Sequence, residues 1–276
     1  MIYTMRKLIK LFFLPFGYVY QAISKSQNQV VILMYHRVND HVQKELSVPV
    51  KNFKWQTNYL RKKRYNVISM DELVHRLETN TLSGKYVVIT FDDGYADFYE
   101  NAFPVLKEHH LPCIHYLATG FIDTDKVYWW DEDLEENQLM TWKQVEELNK
   151  EEIMSFGAHT VNHPDLDTIP EREMEEELIG GKTILEDRLK KAVIHFAYPR
   201  GRADERSIEL VKRIYKTGAL IFNGQPIKKE NTSIDFSVLK RVPVQYSDGN
   251  ILFIARLNDW LVIEELLRKI AKRLKK

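Results

Sequence analysis

Residues 87–95 read Val-Val-Ile-Thr-Phe-Asp-Asp-Gly-Tyr, an apolar and β-branched run that ends in two carboxylates and a glycine. Such a run is typical of a buried strand in a parallel sheet. Asp92 and Asp93 follow at the carboxyl end of this strand, where α/β folds place their chemistry. Either aspartate could instead cap a helix after a turn at Gly94. The stretch alone therefore leaves a functional site and a helix cap open.

Strands and helices alternate on both sides of this run. Continuous apolar segments predict further strands at 30–35, 66–69, 113–118, 153–158, 195–198, 219–222 and 238–244. Helical spacing predicts helices at 52–64, 71–78, 97–110, 141–149, 171–190 and 204–215, with Gly180-Gly181 interrupting the fifth. Such alternation indicates parallel βαβ units in an open doubly wound sheet or a barrel. Roughly seven strands over about 220 residues favour the barrel.

The composition is that of a globular protein with unevenly distributed charge. The 276 residues are 44% hydrophobic and 29% charged, and the single Cys113 excludes an intrachain disulfide framework. Residues 1–28 and 256–276 each carry a net charge of +4, which leaves −7 for the body because the whole chain carries +1. An acidic body argues against nucleic acid as a partner. The two basic ends predict peripheral contact with an anionic membrane.

Residues 1–28 form a basic and hydrophobic N-terminal segment. Its apolar run, residues 11–20, is too short to span a bilayer, which takes about 20 apolar residues. The run fits a signal peptide that is cleaved near Ala22-Ile23-Ser24, and equally an uncleaved helix in the membrane interface. A helix packed on the domain is the third possibility.

Residues 249–276 predict a basic, amphipathic C-terminal helix, so that the domain itself is residues 29–248. Spacings of 3, 4, 3 and 4 separate the apolar residues Trp260, Ile263, Leu267, Ile270 and Leu274. The default interpretation is a helix packed on the domain. Contact with a membrane or with a partner helix is the alternative.

Two histidines form the second candidate element. His159 and His163 lie four residues apart, directly after the predicted strand 153–158. Two imidazoles at this spacing can converge on a metal ion, although the pattern alone also occurs by chance. Because parallel strands end at one rim, we expect the histidines on the same rim as Asp92 and Asp93. Two imidazoles and one carboxylate leave metal positions open for water and substrate, while the other aspartate stays free as a base.

Three motifs, in order, resemble those of a known family. They are Thr90-Phe91-Asp92-Asp93-Gly94, His159-Thr160-Val161-Asn162-His163 and Phe196-Ala197-Tyr198-Pro199-Arg200-Gly201. Over residues 30–245 the chain resembles the NodB-homology polysaccharide deacetylases, carbohydrate esterase family 4. The resemblance implies a single α/β domain, a distorted (β/α)7-type barrel. It also implies a hydrolase that removes N-acetyl groups from a polysaccharide containing N-acetylglucosamine.

The resemblance assigns roles to these residues. Asp92 matches the catalytic base, and Asp93, His159 and His163 match the ligands of a divalent metal ion. Zinc is the first expectation, with cobalt, nickel, iron and manganese as alternatives. These residue types suit amide hydrolysis, since a metal polarises the carbonyl and acidifies water while a carboxylate takes a proton.

The leaving amine needs an acid, and here the chain departs from the common family pattern. The late histidine of that pattern is missing, because no histidine follows His195. The early segment Leu33-Met34-Tyr35-His36-Arg37-Val38 is similar instead to a circularly permuted subgroup that deacetylates poly-β-1,6-N-acetylglucosamine in biofilms. That similarity makes His36 the predicted general acid. A core-edge histidine satisfied by backbone groups is the alternative.

Two arginines complete the predicted catalytic set. Arg200 occupies the position whose backbone N–H stabilises the oxyanion in the family. Arg241, in Leu239-Lys240-Arg241-Val242-Pro243, would replace the missing arginine that holds the base. An ordinary surface ion pair is the alternative for Arg241.

Aromatic residues are the candidates for contact with sugar rings. The predicted substrate-binding residues are Tyr95, Tyr198, Pro199, Trp129 and Trp130, whereas Trp142 is expected in the core. The predicted substrate is poly-β-1,6-N-acetylglucosamine, with peptidoglycan, chitin oligomers and xylan as alternatives. A degenerate carbohydrate-binding protein is the rival without catalysis. We expect an extracytoplasmic or cell-surface location, with the cytoplasmic face of the membrane as the alternative.

Overall fold

A computed structural model describes residues 2–23, 29–134, 138–221, 227–228 and 234–261. The run that ends in Asp92 forms the strand Lys85–Asp92, which is buried from Tyr86 onward. Burial of consecutive residues means that both faces of the strand are covered, as in a parallel sheet with helices outside it. The predicted strand is thus confirmed.

The described residues contain eleven strands. They are β1 (Gln29–Tyr35), β2 (Arg37–Val38), β3 (Ser47–Val48), β4 (Asn66–Val67), β5 (Lys85–Asp92), β6 (Cys113–Leu117), β7 (Met154–Ala158), β8 (His195–Ala197), β9 (Thr217–Ile221), β10 (Ile227–Lys228) and β11 (Leu239–Pro243). Seven of them, in the order β1, β5, β6, β7, β8, β9 and β11, are parallel neighbours. Since β1 pairs with both β5 and β11, the sheet closes into a seven-stranded barrel. The predicted fold class is confirmed.

Helices surround the barrel strands. They are α1 (Ile2–Ile23), α2 (Val50–Lys62), α3 (Met70–Glu78), α4 (Phe103–Glu108), α5 (Trp142–Leu148), α6 (Glu171–Leu189), α7 (Glu205–Ile214) and α8 (Gly249–Leu257). A π-helical turn, Phe98–Ala102, leads into α4 where one continuous helix was predicted. Thr141 caps α5 in a capping box with Gln144. Trp142 is buried, as expected.

Alternate residues of β5 face two different layers. Ile89 packs with Phe53 of α2 in the apolar layer between strands and helices. Val88 belongs to a second cluster formed largely by the other strand faces, inside the barrel. Because side chains alternate along a strand, Thr90 and Asp92 point to the same side as Val88. The base candidate therefore sits at the end of the barrel interior.

Gly180 and Gly181 do not interrupt α6, which contradicts the predicted break. The helix is continuous from Glu171 to Leu189. A Cβ at Gly181 would lie 2.9 Å from the carbonyl oxygen of Thr160, and one at Gly180 would lie 3.0 Å from Val161. The two glycines therefore let α6 approach the loop that contains the histidine pair.

The single helix predicted over 249–276 is also wrong in its described part. The helix α8 ends at Leu257, and a turn follows in which Asp259 has φ of 56°. Residues 262–276, with most of the predicted apolar stripe, lie outside the described residues.

The N-terminal helix α1 packs against α8. In the part of the chain that the structure describes, no helix combines the length and the apolar character needed to cross a membrane. Residue 24, at the predicted cleavage site, lies outside the described residues.

Replacing Phe91 by alanine should destabilise the barrel strongly. Phe91 is fully buried, and its ring stacks on Tyr35 at 5.2 Å and meets Phe98 edge-on at 4.6 Å. Loss of such a side chain costs about 3–5 kcal/mol of unfolding free energy, because a cavity remains. Urea denaturation followed by circular dichroism measures the loss. Ile251→Ala, at a position 61% exposed, is the control and should change stability by less than about 0.5 kcal/mol.

Candidate active site

The acidic pair lies on a tight turn at the end of β5. Asp93 and Gly94 both have left-handed backbone conformations, with φ of 75° and 81°. A Cβ at Gly94 would lie 2.7 Å from the Cδ1 atom of Ile122, so that glycine fits there on two grounds. The turn separates the two carboxylates. Asp92 stays with the barrel interior, while Asp93 faces His159 and His163.

Buried groups hold this turn in place. The Asp93 N–H donates to the carbonyl oxygen of Tyr116 (3.1 Å), and the Tyr128 hydroxyl donates to the Asp93 carbonyl oxygen (2.8 Å). The Gly94 N–H donates to Nε2 of His115 (3.2 Å). Burial lowers the pKa of His115 to about 4, so its ring is neutral and can accept that hydrogen bond. His115 is thus a structural residue of the core.

Asp93, His159 and His163 converge as the sequence predicted. Oδ1 of Asp93 lies 3.4 Å from Nε2 of His159 and 3.5 Å from Nε2 of His163. Among the described residues these three form the group that could hold a metal ion, with all ligand atoms within 4.8 Å of one another. Ligand atoms at about 2.0–2.2 Å from a tetrahedral zinc ion are about 3.3–3.6 Å apart, so the observed spacing fits such an ion.

The protonation states also fit a metal. Nδ1 of His159 lies 2.6 Å from the carbonyl oxygen of Ala197, which can only accept. The proton of His159 is therefore on Nδ1, and its Nε2 presents a lone pair toward Asp93. Burial lowers the pKa of His163 to about 4, which keeps that ring neutral. The buried Oδ1 of Asp93 has no hydrogen-bond partner in the described residues.

Glu177 of α6 holds the loop between the two histidines. Its Oε2 accepts hydrogen bonds from the N–H groups of Val161 and Asn162, both at 2.8 Å, and its Oε1 accepts one from the Asn162 side chain at 2.7 Å. Thr160 and His163 both have left-handed conformations, with φ of 67° and 56°. Three hydrogen bonds to one carboxylate stabilise a loop that its own backbone does not favour.

Asp92 and Arg241 form a buried, bidentate ion pair. Oδ1 of Asp92 accepts from Nη1 of Arg241 at 2.6 Å, and Oδ2 accepts from Nη2 at 2.7 Å. Arg241 is fully buried, so the alternative of a surface ion pair is wrong. Burial by itself would raise the pKa of Asp92, but the charge and the hydrogen bonds of Arg241 outweigh it and hold that pKa below its usual value. Asp92 is therefore ionised, as a base must be.

His36 is near the second carboxylate oxygen of Asp93, whereas His159 and His163 are near the first. Its Nε2 is 3.8 Å from Oδ2 of Asp93, and its side chain is 11% exposed. Its buried Nδ1 has no hydrogen-bond partner in the described residues, so the alternative of a ring satisfied by backbone groups is not observed. His36, Asp92 and the Asp93–His159–His163 group line one cavity of about 310 Å³.

Trp129, Trp130 and Arg200 line the same cavity. Trp129 is 64% exposed, and the Arg200 guanidinium lies 5.5 Å from the centre of its ring. Trp130 stacks on Tyr128 and is fixed by a hydrogen bond from its Nε1 to the Tyr95 hydroxyl. Trp129 is thus open to a sugar ring, whereas Trp130 is part of the wall.

Three predicted substrate-binding residues do not reach the cavity. Tyr95 and Tyr198 are buried, and their hydroxyls donate to Asp131 (2.7 Å) and to the Ser237 carbonyl oxygen (2.9 Å). Pro199 is buried as well. Their place next to the motifs in the sequence suggested substrate contact. In the structure Tyr95 supports Trp130, which lines the cavity, while Tyr198 and Pro199 are buried away from it.

Sequence reasoning missed Tyr128, Asp131 and Glu177. Asp131 is buried and accepts hydrogen bonds from Tyr95 and from Nη2 of Arg37 at 3.1 Å. Of these three residues, only Glu177 could have been found from the sequence. It lies beside Leu178 on the apolar side of α6, where a carboxylate is unusual. Tyr128 and Asp131 flank the tryptophans in an irregular loop, where no periodicity indicates which side chains are buried.

Glu177→Gln should weaken zinc binding by about 10–100-fold, the range for residues that support metal ligands. The amide presents N–H groups where the loop needs acceptors. Competition with a chromogenic chelator measures the affinity. Glu176→Gln is the matched control, because this neighbour is exposed and forms a surface ion pair with Arg172. Equal affinity of both variants, with unchanged circular dichroism, would show that Glu177 does not support the site.

Comparisons with known proteins agree with this geometry. The family model described as polysaccharide deacetylase matches residues 79–218, slightly more than half of the chain. YxkH of Bacillus subtilis, which is provisionally named a polysaccharide deacetylase, is 28% identical over 188 residues. That match covers 68% of this chain and 61% of YxkH, so the chain spans less than two thirds of this relative.

A second curated relative and a solved structure match more of their own length. The poly-β-1,6-N-acetyl-D-glucosamine N-deacetylase of Staphylococcus epidermidis is 26% identical over 218 residues, covering 70% of this chain and 72% of the relative. The Streptococcus pyogenes deacetylase PplD, solved in complex with acetate, has a TM-score of 0.70 and 26% identity, covering 84% of this chain and 99% of PplD. The fold, the site and these matches together show that this chain belongs to the polysaccharide deacetylase family.

Proposed function

We propose that this protein is a metal-dependent hydrolase that removes N-acetyl groups from a polysaccharide containing N-acetylglucosamine, with poly-β-1,6-N-acetylglucosamine as its substrate. The observation that supports this most is the shared cavity. It brings an ionised carboxylate, Asp92, and an imidazole, His36, to a three-residue group with the spacing of metal ligands. Amide hydrolysis needs these three components together.

Asp92 is placed to take the proton of the attacking water. When bound, a divalent ion held by Asp93, His159 and His163 would polarise the acetamido carbonyl and acidify water. Each oxygen of Asp92 accepts one hydrogen bond from Arg241 and retains a further lone pair, since a carboxylate has about four acceptor positions. Asp92 can therefore stay paired with Arg241 while it accepts a proton.

His36 is placed to protonate the leaving nitrogen. An amide C–N bond breaks readily only when the departing amine receives a proton, and a histidine can deliver it near neutral pH. Nε2 of His36 points toward Asp93 and borders the cavity that Asp92 lines from the barrel side. Water and the N-acetylated sugar are consumed, and acetate and the free amine are formed.

The mouth of the cavity suits a glycan. Trp129 offers an exposed aromatic face on which a sugar ring can stack, and the backbone N–H of Arg200 is the proposed oxyanion donor. The name of the Staphylococcus epidermidis relative supports the β-1,6-linked substrate. Because such a polysaccharide is extracellular, we place the enzyme outside the cytoplasm, at the cell surface.

Acetate release tests this proposal. Purified full-length protein is incubated with β-1,6-linked N-acetylglucosamine oligomers, chitin oligomers, peptidoglycan and acetylated xylan, each with and without a chelator. We expect release from the β-1,6-linked oligomers, its loss on chelation and its recovery with zinc. Preference for another glycan would overturn the substrate, and chelator-resistant release would overturn the metal dependence. Binding without release from any glycan would favour the degenerate carbohydrate-binding protein.

Two variants should separate the acid and the base from the metal ligands. Asp92→Asn and His36→Ala should each reduce turnover by about 10²–10⁴-fold, the usual contribution of a general base or acid. Both should retain about one equivalent of zinc, measured by atomic absorption after gel filtration.

His41→Ala is the matched control for His36→Ala, because His41 is exposed and outside the cavity. Its turnover should be unchanged. Loss of zinc in His36→Ala would make His36 a ligand and not an acid. Undiminished turnover in Asp92→Asn, with the fold verified by circular dichroism, would rule out Asp92 as the base.

A further inference from the structure

Large exposed hydrophobic side chains are concentrated on α1. Six of the eleven among the described residues lie on this helix. Five of them are Leu8, Ile9, Phe12, Phe16 and Val19, and the most exposed, Phe12, reaches 68%. A soluble domain seldom exposes a contiguous apolar face of this kind without a binding partner.

These five residues share one face of α1, and the opposite face is docked on the domain. Positions 8, 12, 16 and 19 follow one another at helical spacing, so their side chains form one stripe. Leu11 and Leu14 point the other way and pack with Leu252 and Ala255 of α8 and with Leu261. The helix therefore has a domain face and a free apolar face, which none of the described residues covers.

A buried ammonium group fixes the domain face. Lys10 is only 5% exposed, and its Nζ donates to Oε1 of Gln245 (2.6 Å), Oγ of Ser247 (3.1 Å) and Oδ1 of Asp248 (2.9 Å). All three donors of the ammonium group are thus used. Asp248 is fully buried and also accepts from Nη2 of Arg256 at 3.0 Å. The charge of Lys10 is thus compensated and its three N–H groups are all bonded to the domain, so this lysine is a structural residue.

Gly17 brings the helix into direct backbone contact with the body. A Cβ at this position would lie 1.8 Å from the carbonyl oxygen of Trp260, so any other residue would push the helix away. Tyr18 meets the Trp260 ring edge-on at 5.1 Å. Together with Lys10, these contacts fix α1 at two points about two turns apart.

The free face matches the surface of an anionic bilayer. Arg6, Lys7 and Lys10 are the charged residues of α1, which contains no acidic residue. Lys10 is neutralised by Asp248, which leaves the exposed Lys7 to attract anionic headgroups. Apolar side chains beside basic ones are the composition of helices that lie in the headgroup region.

We propose that α1 is a retained interfacial helix, which inserts its Leu8–Ile9–Phe12–Phe16–Val19 face into an anionic lipid surface while Lys10 and Gly17 hold it on the catalytic domain. This inference does not depend on the proposed function. Cleavage of a signal peptide would leave Asp248 and Gln245 with Arg256 but without Lys10, and it would remove the apolar cover of α8. The tertiary contacts of α1 therefore favour retention over removal.

Vesicle sedimentation of the full chain tests the lipid contact. We expect binding to vesicles of equal parts phosphatidylcholine and phosphatidylglycerol, and weaker binding to phosphatidylcholine alone. Phe12→Ser combined with Phe16→Ser should lower the partition coefficient on the order of a hundredfold, because two apolar side chains are lost from the buried face. Ile179→Ser combined with Ile194→Ser is the matched control. These isoleucines are also exposed but lie in and after α6, not on α1, so their replacement should leave binding unchanged.

Hydrogen exchange tests the attachment to the domain. Lys10→Met should speed exchange of the α1 amides, while Lys7→Met, at an exposed position of the same helix, should not. Equal exchange in both variants would overturn the role of Lys10.

Three other results would overturn the membrane proposal. The first is unchanged vesicle binding after the double phenylalanine substitution. The second is a lipid-free dimer that this substitution dissociates, because a second copy would then cover the apolar face. The third is a mature N-terminus after Ser24 in producing cells, because α1 would then be a removed leader.

Discussion

The buried pair of Asp92 and Arg241 is the interaction on which both the barrel and the site depend. It joins β5 to β11 across β1, the strand that closes the ring, and it does so where neither charge can be hydrated. Breaking a buried ion pair on one side costs about 3–5 kcal/mol, since the remaining charge is uncompensated. The same pairing keeps Asp92 ionised in a position where burial alone would protonate it. The closure of the barrel and the ionised state of Asp92 therefore have one physical cause, the ion pair with Arg241.

The Asp93–His159–His163 group, which could hold a metal ion, depends on backbone conformations that the chain does not favour locally. Asp93, Thr160 and His163 all lie in the left-handed region, where residues other than glycine are uncommon. Hydrogen bonds to the turn and to the loop maintain them, above all those that the Glu177 carboxylate accepts. Such a group is preorganised, since its ligand atoms are already at the spacing that a metal ion needs. The close approach of α6 at Gly181 is part of the same arrangement.

The N-terminal helix shows how one lysine changes the interpretation of a hydrophobic segment. By composition, residues 1–28 resemble a signal peptide and an interfacial helix equally well. The contacts of Lys10 support the proposal that the helix is retained, because a buried ammonium group is stable only where acceptors compensate its lost hydration. Asp248 and Gln245, more than 230 positions away, provide them.

The amino-acid sequence by itself determined the alternation of strands and helices, the barrel class and the meeting of Asp92, Asp93, His159 and His163 at one rim. These follow from local periodicity and from the rule that parallel strands end on the same side. Only the tertiary structure decided that Arg241 is buried against Asp92, that Gly180 and Gly181 serve close packing, and that Tyr95 and Tyr198 are internal supports. It also identified Glu177, Tyr128 and Asp131. Those outcomes depend on which distant groups come within about 3 Å, and no local pattern in the chain encodes such distances.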